Sequence, residues 1–398
     1  MKILCVNAGS SSMKFQLFEM PERKVIISGY IEKIGSEDSF WNTKVNGEKI
    51  RGERYIKNHS EAAQVLIKEL LRHKAVESMD EIKAVGHRVL HGGEKYADSV
   101  LIDDEVIESI KSLTKLGPLH HPGNLAGIEA MREALPGVPM VAVYDTAFHQ
   151  TMPEVNYIYP VPYEWYEKYG VRKYGFHGTS HKYITKRMQE LLGKEDVNII
   201  NCHIGSGSSI CCIKDGKSYD TTMGLTPLDG LMMGTRSGAI DPSILEYVAK
   251  ESGMDVSEIT TILNKKSGLL GVSKRFADHR DIETGMAEGD HLSILANDMY
   301  VDRVVRYIAE YYVKLEGKVD AITFTAGLGE NAREFREEIV KKLACLGIKI
   351  DVEENMKYAS YCDKQEGIVS TPDSTVPVYV VPTNEELMII LDTYEFVK

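Results

Sequence analysis

The sequence predicts an α/β protein with mixed sheets and a duplicated plan. Short Val- and Ile-rich runs that end in turns alternate with longer segments of helical period. A strand, a Ser/Gly turn and a returning strand also occur near residue 1 and again near residue 200, the spacing of an internal repeat.

The first strand is Ile3-Leu4-Cys5-Val6, which runs into Asn7-Ala8-Gly9-Ser10-Ser11-Ser12 and returns through Lys14-Phe15-Gln16-Leu17-Phe18. A helix is predicted over 60–74, capped by Ser60, with Ala63, Leu66, Ile67, Leu70 and Leu71 at helical spacing. A strand over 85–90 follows, then helices over 104–116 and 125–135, the second capped by Asn124, and a strand over 138–143. The Pro-rich aromatic stretch 153–162 reads as a crossing segment and a candidate domain boundary. After a helix over 181–192, the second strand-and-turn unit is Val197-Asn198-Ile199-Ile200-Asn201-Cys202 into His203-Ile204-Gly205-Ser206-Gly207-Ser208-Ser209. It returns through Ile210-Cys211-Cys212-Ile213 to the hairpin signal Asp215-Gly216. The mixed apolar pattern over 290–315 suggests a helix buried on several sides or set at a dimer contact. A third strand, Ala321-Ile322-Thr323-Phe324, enters the small turn Thr325-Ala326-Gly327-Leu328-Gly329-Glu330-Asn331. A helix over 334–346 and a strand over 376–381 complete the pattern.

Composition removes several classes of function. The 398 residues are 43% hydrophobic and 27% charged, which are globular values. A formal charge of −12 with no basic stripe argues against nucleic acid, although local arginines can still hold a small anion. No apolar run is long enough for a transmembrane helix, and the N-terminal apolar stretch stops too soon for a signal peptide. The six cysteines form no CxxC pair and read as buried free thiols of a cytoplasmic protein.

Glycine turns after strands can bind phosphate through backbone amides, but neither common nucleotide motif is present. Gly9 is followed by no second glycine before Lys14, so there is no Walker A loop, and Gly205-Ser206-Gly207 lacks the rest of a dinucleotide fingerprint. In Gly86-His87-Arg88-Val89-Leu90-His91-Gly92-Gly93, Arg88 ends a strand, where its planar fork suits carboxylate or phosphoryl oxygens. A structural ion pair would explain Arg88 equally well. Arg236, in Met233-Gly234-Thr235-Arg236-Ser237-Gly238, is a second arginine set among glycines, and the two resemble a clamp on an anion. HExxH is absent. His120 and His177 each stand just before a predicted helix, where free amides favour anions. Asp145 and Glu385 follow apolar strands in polar turns and are candidate Mg²⁺ carboxylates.

Taken as an ordered set, these strings resemble the acetate kinases of the acetate and sugar kinase, heat-shock and actin superfamily. The matching pieces are Asn7 to Ser12 with Lys14, Gly86 to Gly93, Asp145-Thr146-Ala147-Phe148-His149, and Tyr174 to His181. They continue with Met233 to Gly238, Phe324 to Asn331 and Pro382-Thr383-Asn384-Glu385-Glu386, spanning the chain in the family's order. The resemblance implies duplicated actin-like, ribonuclease H-like domains with an active-site cleft between them: 1–148 completed by 384–398, and 149–383, with a homodimer formed through the second. It implies reversible Mg²⁺-dependent transfer of the γ-phosphoryl of ATP to acetate, giving acetyl phosphate and ADP, with Mn²⁺ as a substitute metal. It assigns Arg88, Asp145, His177 and Arg236 to catalysis and Asn7 and Glu385 to the metal. Leu90, Leu119, Phe176 and Pro227 would form the acetate pocket. Lys14, His120, His203, Gly205, Ser206 and Gly207 would lie around the phosphates, and Asp278, His279, Arg280, Gly327, Gly329 and Asn331 would lie on the adenosine side.

The chain departs from the family pattern in three places. Ser206 replaces an asparagine, the 273–280 stretch is a residue short with His279 where Phe or Met is common, and Leu90 replaces a valine, narrowing the acyl pocket by about one methylene. Competing readings are a propionate or other short-chain acyl kinase, a pyrophosphate-linked enzyme, and a non-metabolic ATPase of the same superfamily.

Overall fold

The computed structural model describes residues 1–118, 120–362 and 364–398. The chain divides into two compact units, Met1–Gln150 with Asn384–Lys398, and Thr151–Thr383.

The first unit holds an eight-stranded sheet of β1 (Lys2–Ala8), β2 (Ser12–Glu19), β3 (Lys24–Glu32), β4 (Phe40–Val45), β5 (Glu48–Glu53), β6 (Ile82–Val89), β7 (Val100–Leu101) and β8 (Met140–Tyr144), in the order β5-β4-β3-β2-β1-β6-β8-β7. Strands β1 to β5 form an antiparallel meander, and β6 and β8 extend it parallel to β1. Helices His59–Arg72 and His121–Ala134 pack apolar residues such as Leu66 and Met131 against Leu4 and Val6. The C-terminal helix Glu385–Glu395 covers the other face, with Ile389 and Ile390 packed on Ile3, Cys5 and Val141. Because helices cover both faces, the central strands carry continuous apolar runs, such as Ile3 to Val6 of β1 and Met140 to Val143 of β8, rather than alternating.

The second unit repeats the order with β9 (Ile199–Ile204), β10 (Ser208–Lys214), β11 (Lys217–Thr221), β12 (Ala321–Thr325), β13 (Gly367–Ile368) and β14 (Val378–Val380), arranged β11-β10-β9-β12-β14-β13. Again a meander lies beside strands parallel to the first one, β12 to β9 and β14 to β12. The expected duplication is therefore present as topology. Helix His291–Lys314 buries Ala296, Tyr300, Val304, Ile308 and Tyr311 on one stripe and exposes Ile294, Leu295 and Val313. It is thus buried on one side, not several.

Local expectations need four corrections. The first helix is capped by Asn58, whose extended backbone lets its side chain accept from the amide of Glu61; Ser60 is already helical. Asn124 lies inside a helix that starts at His121, because Pro122 suits a first turn, so it caps nothing. The segment after β12 is a short helix, Ala326–Asn331, instead of an open turn. Cys5, Cys202, Cys211 and Cys212 are buried and free, but Cys345, in the short 3-10 helix Ala344–Leu346, is exposed, and Cys362, in a bend, is half-buried.

Candidate functional site

In the first unit the functional side chains gather where β1, β6 and β8 end. Arg88 is the penultimate residue of β6, and Asp145 follows β8, its amide donating to the carbonyl of Val89. The Arg88 guanidinium forks onto Asp145, with Nε 3.1 Å from both carboxylate oxygens and Nη2 2.6 Å from Oδ2. Asp145 is buried, so the pair forms away from bulk water, and the carboxylate pushes the Arg88 pKa up. Asp145 was expected in an open polar turn; it is instead enclosed by its partner strand.

Glu385 starts the C-terminal helix, which Asn384 caps by accepting from the amide of Leu387. Its carboxylate is half-buried and makes no hydrogen bond or ion pair among the described residues. Burial pushes its pKa up to about 7; Arg88 opposes this, while Asp145 and Glu386 add to it. An unpartnered carboxylate beside a second one is a hard-oxygen environment that suits a cation such as Mg²⁺.

A cavity of about 210 Å³ opens here, lined by Asn7, Lys14, Arg88, Leu90, His120 and Asn124, among others. Asn7 and Lys14 face each other across β1 and β2. His120 is exposed at the start of helix His121–Ala134. The buried Asn124 accepts from the amide of Leu90 at 3.2 Å and donates to the carbonyl of Ala8 at 2.8 Å, joining the ends of β1 and β6. This tie was hidden from the sequence, because an Asn before an apolar run reads as a cap. Gly123 lies so close to the first turn that a Cβ there would stand 2.5 Å from the carbonyl of Gly9. Leu90 is buried and lines the cavity, whereas Leu119 lies outside the described residues.

In the second unit, His177 caps helix Gly178–Leu192 in a left-handed conformation, φ 57°. Its Nδ1 is 2.9 Å from Ser209 Oγ, and its ring stacks on His203 at 4.1 Å. His203 Nδ1 meets Ser180 Oγ at 2.8 Å. The glycine turn closes through the amide of Gly205 on the carbonyl of Gly207, and Ser208 Oγ bonds Tyr300. Arg236 donates from Nη1 to the carbonyl of Pro227 at 3.2 Å, and burial lowers its pKa. A Cβ at Gly207 would lie 3.4 Å from His177 Nε2 and 3.6 Å from Arg236 Nη1, so the turn, the imidazole and the second arginine are neighbours. Phe176 is buried next to His177, and Pro227 is half-buried.

The same unit has a cavity of about 1110 Å³ lined by Gly205, Ser206, Asp278, Arg280, Gly327 and Asn331, with His279 also on its wall. Asp278 caps the next helix and holds Arg280 in a fork, and that hydrogen bond brings its pKa down to about 2. His279 is buried, bonds Asn297 and meets Phe335 edge-on at 4.8 Å, so its ring serves as packed wall and not as a free stacking platform. Gly329 is also displaced from its expected role: it is buried against the backbones of Phe324 and Cys202 and does not line the cavity. Sequence reasoning missed Glu330, which accepts from the amides of Ala326 and Thr383 and pins the left-handed Ala326.

Fixed positive charge at a strand end, imidazoles near an arginine and a glycine turn beside a large cavity are the means of holding and neutralising phosphoryl oxygens. With two α/β units of one topology, they define the class as a phosphotransferase. The family profile described as Acetokinase family matches residues 2–391. A curated acetate kinase of Bacillus cytotoxicus is 51% identical over 393 residues, covering 98% of each chain. The crystal structure of Porphyromonas gingivalis acetate kinase superposes with a TM-score of 0.94 at 43% identity over 100% of both chains. A propionate kinase structure from Francisella tularensis gives 0.93 at 41% identity over 99% of both. The chain belongs to the acetokinase family, phosphotransferases with a carboxyl group as acceptor.

Proposed function

We propose that this chain transfers the γ-phosphoryl of ATP to acetate, reversibly and with Mg²⁺, giving acetyl phosphate and ADP. The observation that carries the reading is the Arg88–Asp145 fork with the unpartnered Glu385 at one set of strand ends. Acetate is already ionised at neutral pH, so no strong base is required. An acetate oxygen attacks the γ-phosphorus, the bond to the β–γ bridging oxygen breaks, and ADP leaves. Arg88 and Arg236 neutralise the carboxylate and the transferring group, and His177 donates to a phosphoryl oxygen. Asp145 fixes the Arg88 fork. Asn7 and Glu385 would hold Mg²⁺, which when bound offsets phosphate charge. Lys14, His120, His203 and the 205–207 turn serve the phosphates. The cavity at Asp278, Arg280, Gly327 and Asn331 takes the nucleoside, and Leu90, Phe176 and Pro227 surround the acetate methyl.

The exposed apolar Val155, Tyr169, Tyr247 and Val313 of the second unit support a homodimer through that unit. The free thiols support a cytoplasmic setting. No helix among the described residues is long and apolar enough to cross a membrane. The likeness to a propionate kinase favours propionate as the second acceptor to test. The test is an initial-rate assay with Mg-ATP and matched acetate, propionate and butyrate. Acetate should give the highest kcat/KM, and ATP turnover unchanged by any carboxylate would overturn the reading.

A further inference from the structure

A line of hydrogen bonds runs behind His177. Asn201 on β9, Ser209 on β10 and Thr323 on β12 are fully buried, as is His181 of helix Gly178–Leu192. Thr323 Oγ1 donates to Asn201 Oδ1 at 2.7 Å, and Asn201 Nδ2 reaches His181 Nδ1 at 2.8 Å. His181 Nε2 lies 2.8 Å from Ser209 Oγ, which lies 2.9 Å from His177 Nδ1.

The chemistry of the partners fixes where the protons are. An amide NH₂ can only donate, so His181 Nδ1 accepts, and the one proton of its neutral ring sits on Nε2. That proton goes to Ser209 Oγ. Ser209 has a single proton of its own and is fully buried, so an unused hydroxyl donor there would be costly. Ser209 therefore gives its proton to His177 Nδ1. We propose that His181 is a positioning residue which, through Ser209, holds His177 neutral with its proton on Nε2, the nitrogen beside Gly207 and Arg236. This rests on the reading of His177 as a hydrogen-bond donor to a phosphoryl oxygen.

The arrangement has a consequence for the transfer. A neutral Nε2–H offers a hydrogen bond to a phosphoryl oxygen. The other tautomer would turn a lone pair toward that oxygen and repel it. An imidazolium would need a proton on Nδ1, which would drive the Ser209 proton away from its acceptor. Asn201 and Thr323 anchor the far end, so the tautomer is set by an amide that three side chains, His181, Ser209 and His177, separate from the reacting atoms.

The test reads the protons directly. Full-length protein labelled with ¹⁵N-histidine is studied by NMR, with the two rings assigned from His177→Gln and His181→Gln. At neutral pH both rings should show a bare Nδ1 and a protonated Nε2; a proton on His177 Nδ1 overturns the proposal whatever the activity. Asn201→Asp is nearly isosteric but can only accept, so it should reverse the line and move the His177 proton to Nδ1. Its kcat should fall about tenfold or more, with KM for acetate and ATP within about threefold. Ser209→Ala, which breaks the line without adding charge, should give the same split. Loss in KM alone, or an unmoved His177 tautomer in Asn201→Asp, overturns the positioning role. Near-normal kcat in His177→Ala with the protons as assigned would instead overturn the reading of His177 as hydrogen-bond donor to the phosphoryl group, and the role with it.

Discussion

In the first unit β1 buries Ile3, Leu4, Cys5 and Val6 on both its faces, and its polar side chains, Lys2 and Asn7, stand at or near its ends. In the second, β9 alternates Ile200, Cys202 and Ile204 with the buried Asn201 and His203. One strand order thus carries its chemistry in two ways. Where helices cover both faces with apolar side chains, ionic groups collect at strand ends, and Arg88 keeps a quarter of its side-chain surface open. Where a sheet face is itself polar and buried, it is filled with neutral donors and acceptors that satisfy one another. The physical reason is that a buried charge costs far more than a buried hydrogen-bonded neutral group.

The two arginines give the largest effects and would break the comparison most directly. Arg88→Ala and Arg236→Ala should each lower kcat/KM by about 100-fold or more. Their stabilities should diverge. Arg88→Ala leaves Asp145 buried without its fork, which should cost about 3–5 kcal/mol. Arg236 gives up only a bond to the Pro227 carbonyl and a contact with Met233 Sδ, so its loss should cost about 1 kcal/mol. Denaturant midpoints alongside rates measure both. The double variant Arg88→Ala/Asp145→Ala should recover stability without recovering rate; equal destabilisation by the two single changes would contradict a strand-end ion pair peculiar to the first unit.

Glu385 supplies the next largest effect, in the metal-free protein. Its carboxyl titrates near pH 7 instead of near 4.5 because of burial. Between those values the native state holds a proton that the unfolded chain has lost, so stability falls as pH rises through the window. The total is about 3 kcal/mol and levels off above pH 7. Glu385→Gln should remove that slope. With Mg²⁺ present, Glu385→Gln and Asp145→Asn should both raise the metal concentration needed for half-maximal rate at fixed ATP. A slope that survives in Glu385→Gln would place the titration elsewhere.

How far the sequence foretold these features depends on the range of the interaction. The strand–turn–strand repeat is local, and both sheets follow it in order. Val197 to Cys202 and Ala321 to Phe324 were legible as strands entering small-residue turns, but the hydrogen-bond line from Thr323 to His177 joins three strands and a helix, which only the register reveals. Asp145 and Glu385 were recognisable as strand-end carboxylates. Their different states were not, because the Arg88 fork on one and the lack of a partner for the other depend on tertiary neighbours. Asn124 was misread for the same reason: its partners, Ala8 and Leu90, are 116 and 34 residues away.

A smaller effect tests whether the first unit's turn is held by backbone closeness. A Cβ at Gly123 would meet the Gly9 carbonyl carbon and oxygen at 2.5 Å and the Ser10 amide nitrogen at 2.8 Å, and backbone atoms cannot swing aside. Gly123→Ala should cost about 1–3 kcal/mol and reduce kcat/KM as the 9–12 turn shifts. In the second unit a Cβ at Gly327 would meet nothing within 4 Å, so Gly327→Ala should leave thermal stability unchanged and act, if at all, on KM for ATP. Equal loss of stability in both would remove the contrast.

The smallest effect concerns acceptor size. Leu90 is buried, lines the 210 Å³ cavity, and lies close enough to Gly117 that a Cβ there would touch its Cδ2 at 3.0 Å. A wall so confined cannot swing far, so a longer acyl chain should meet Leu90, and overpacking a formed site costs about 1–3 kcal/mol. Acetate should therefore be preferred to propionate, with butyrate poor. Leu90→Ala should improve the propionate-to-acetate ratio of kcat/KM by about several-fold while weakening the acetate reaction itself, since a methylene in an apolar pocket discriminates by about 1–3 kcal/mol. Because the substitution also removes core packing, the ratio is the proper readout: lost stability lowers the activity on both acceptors alike. An unmoved ratio would mean that Leu90 only packs the strand end, and the first unit would then contribute charge to the reaction but not selectivity.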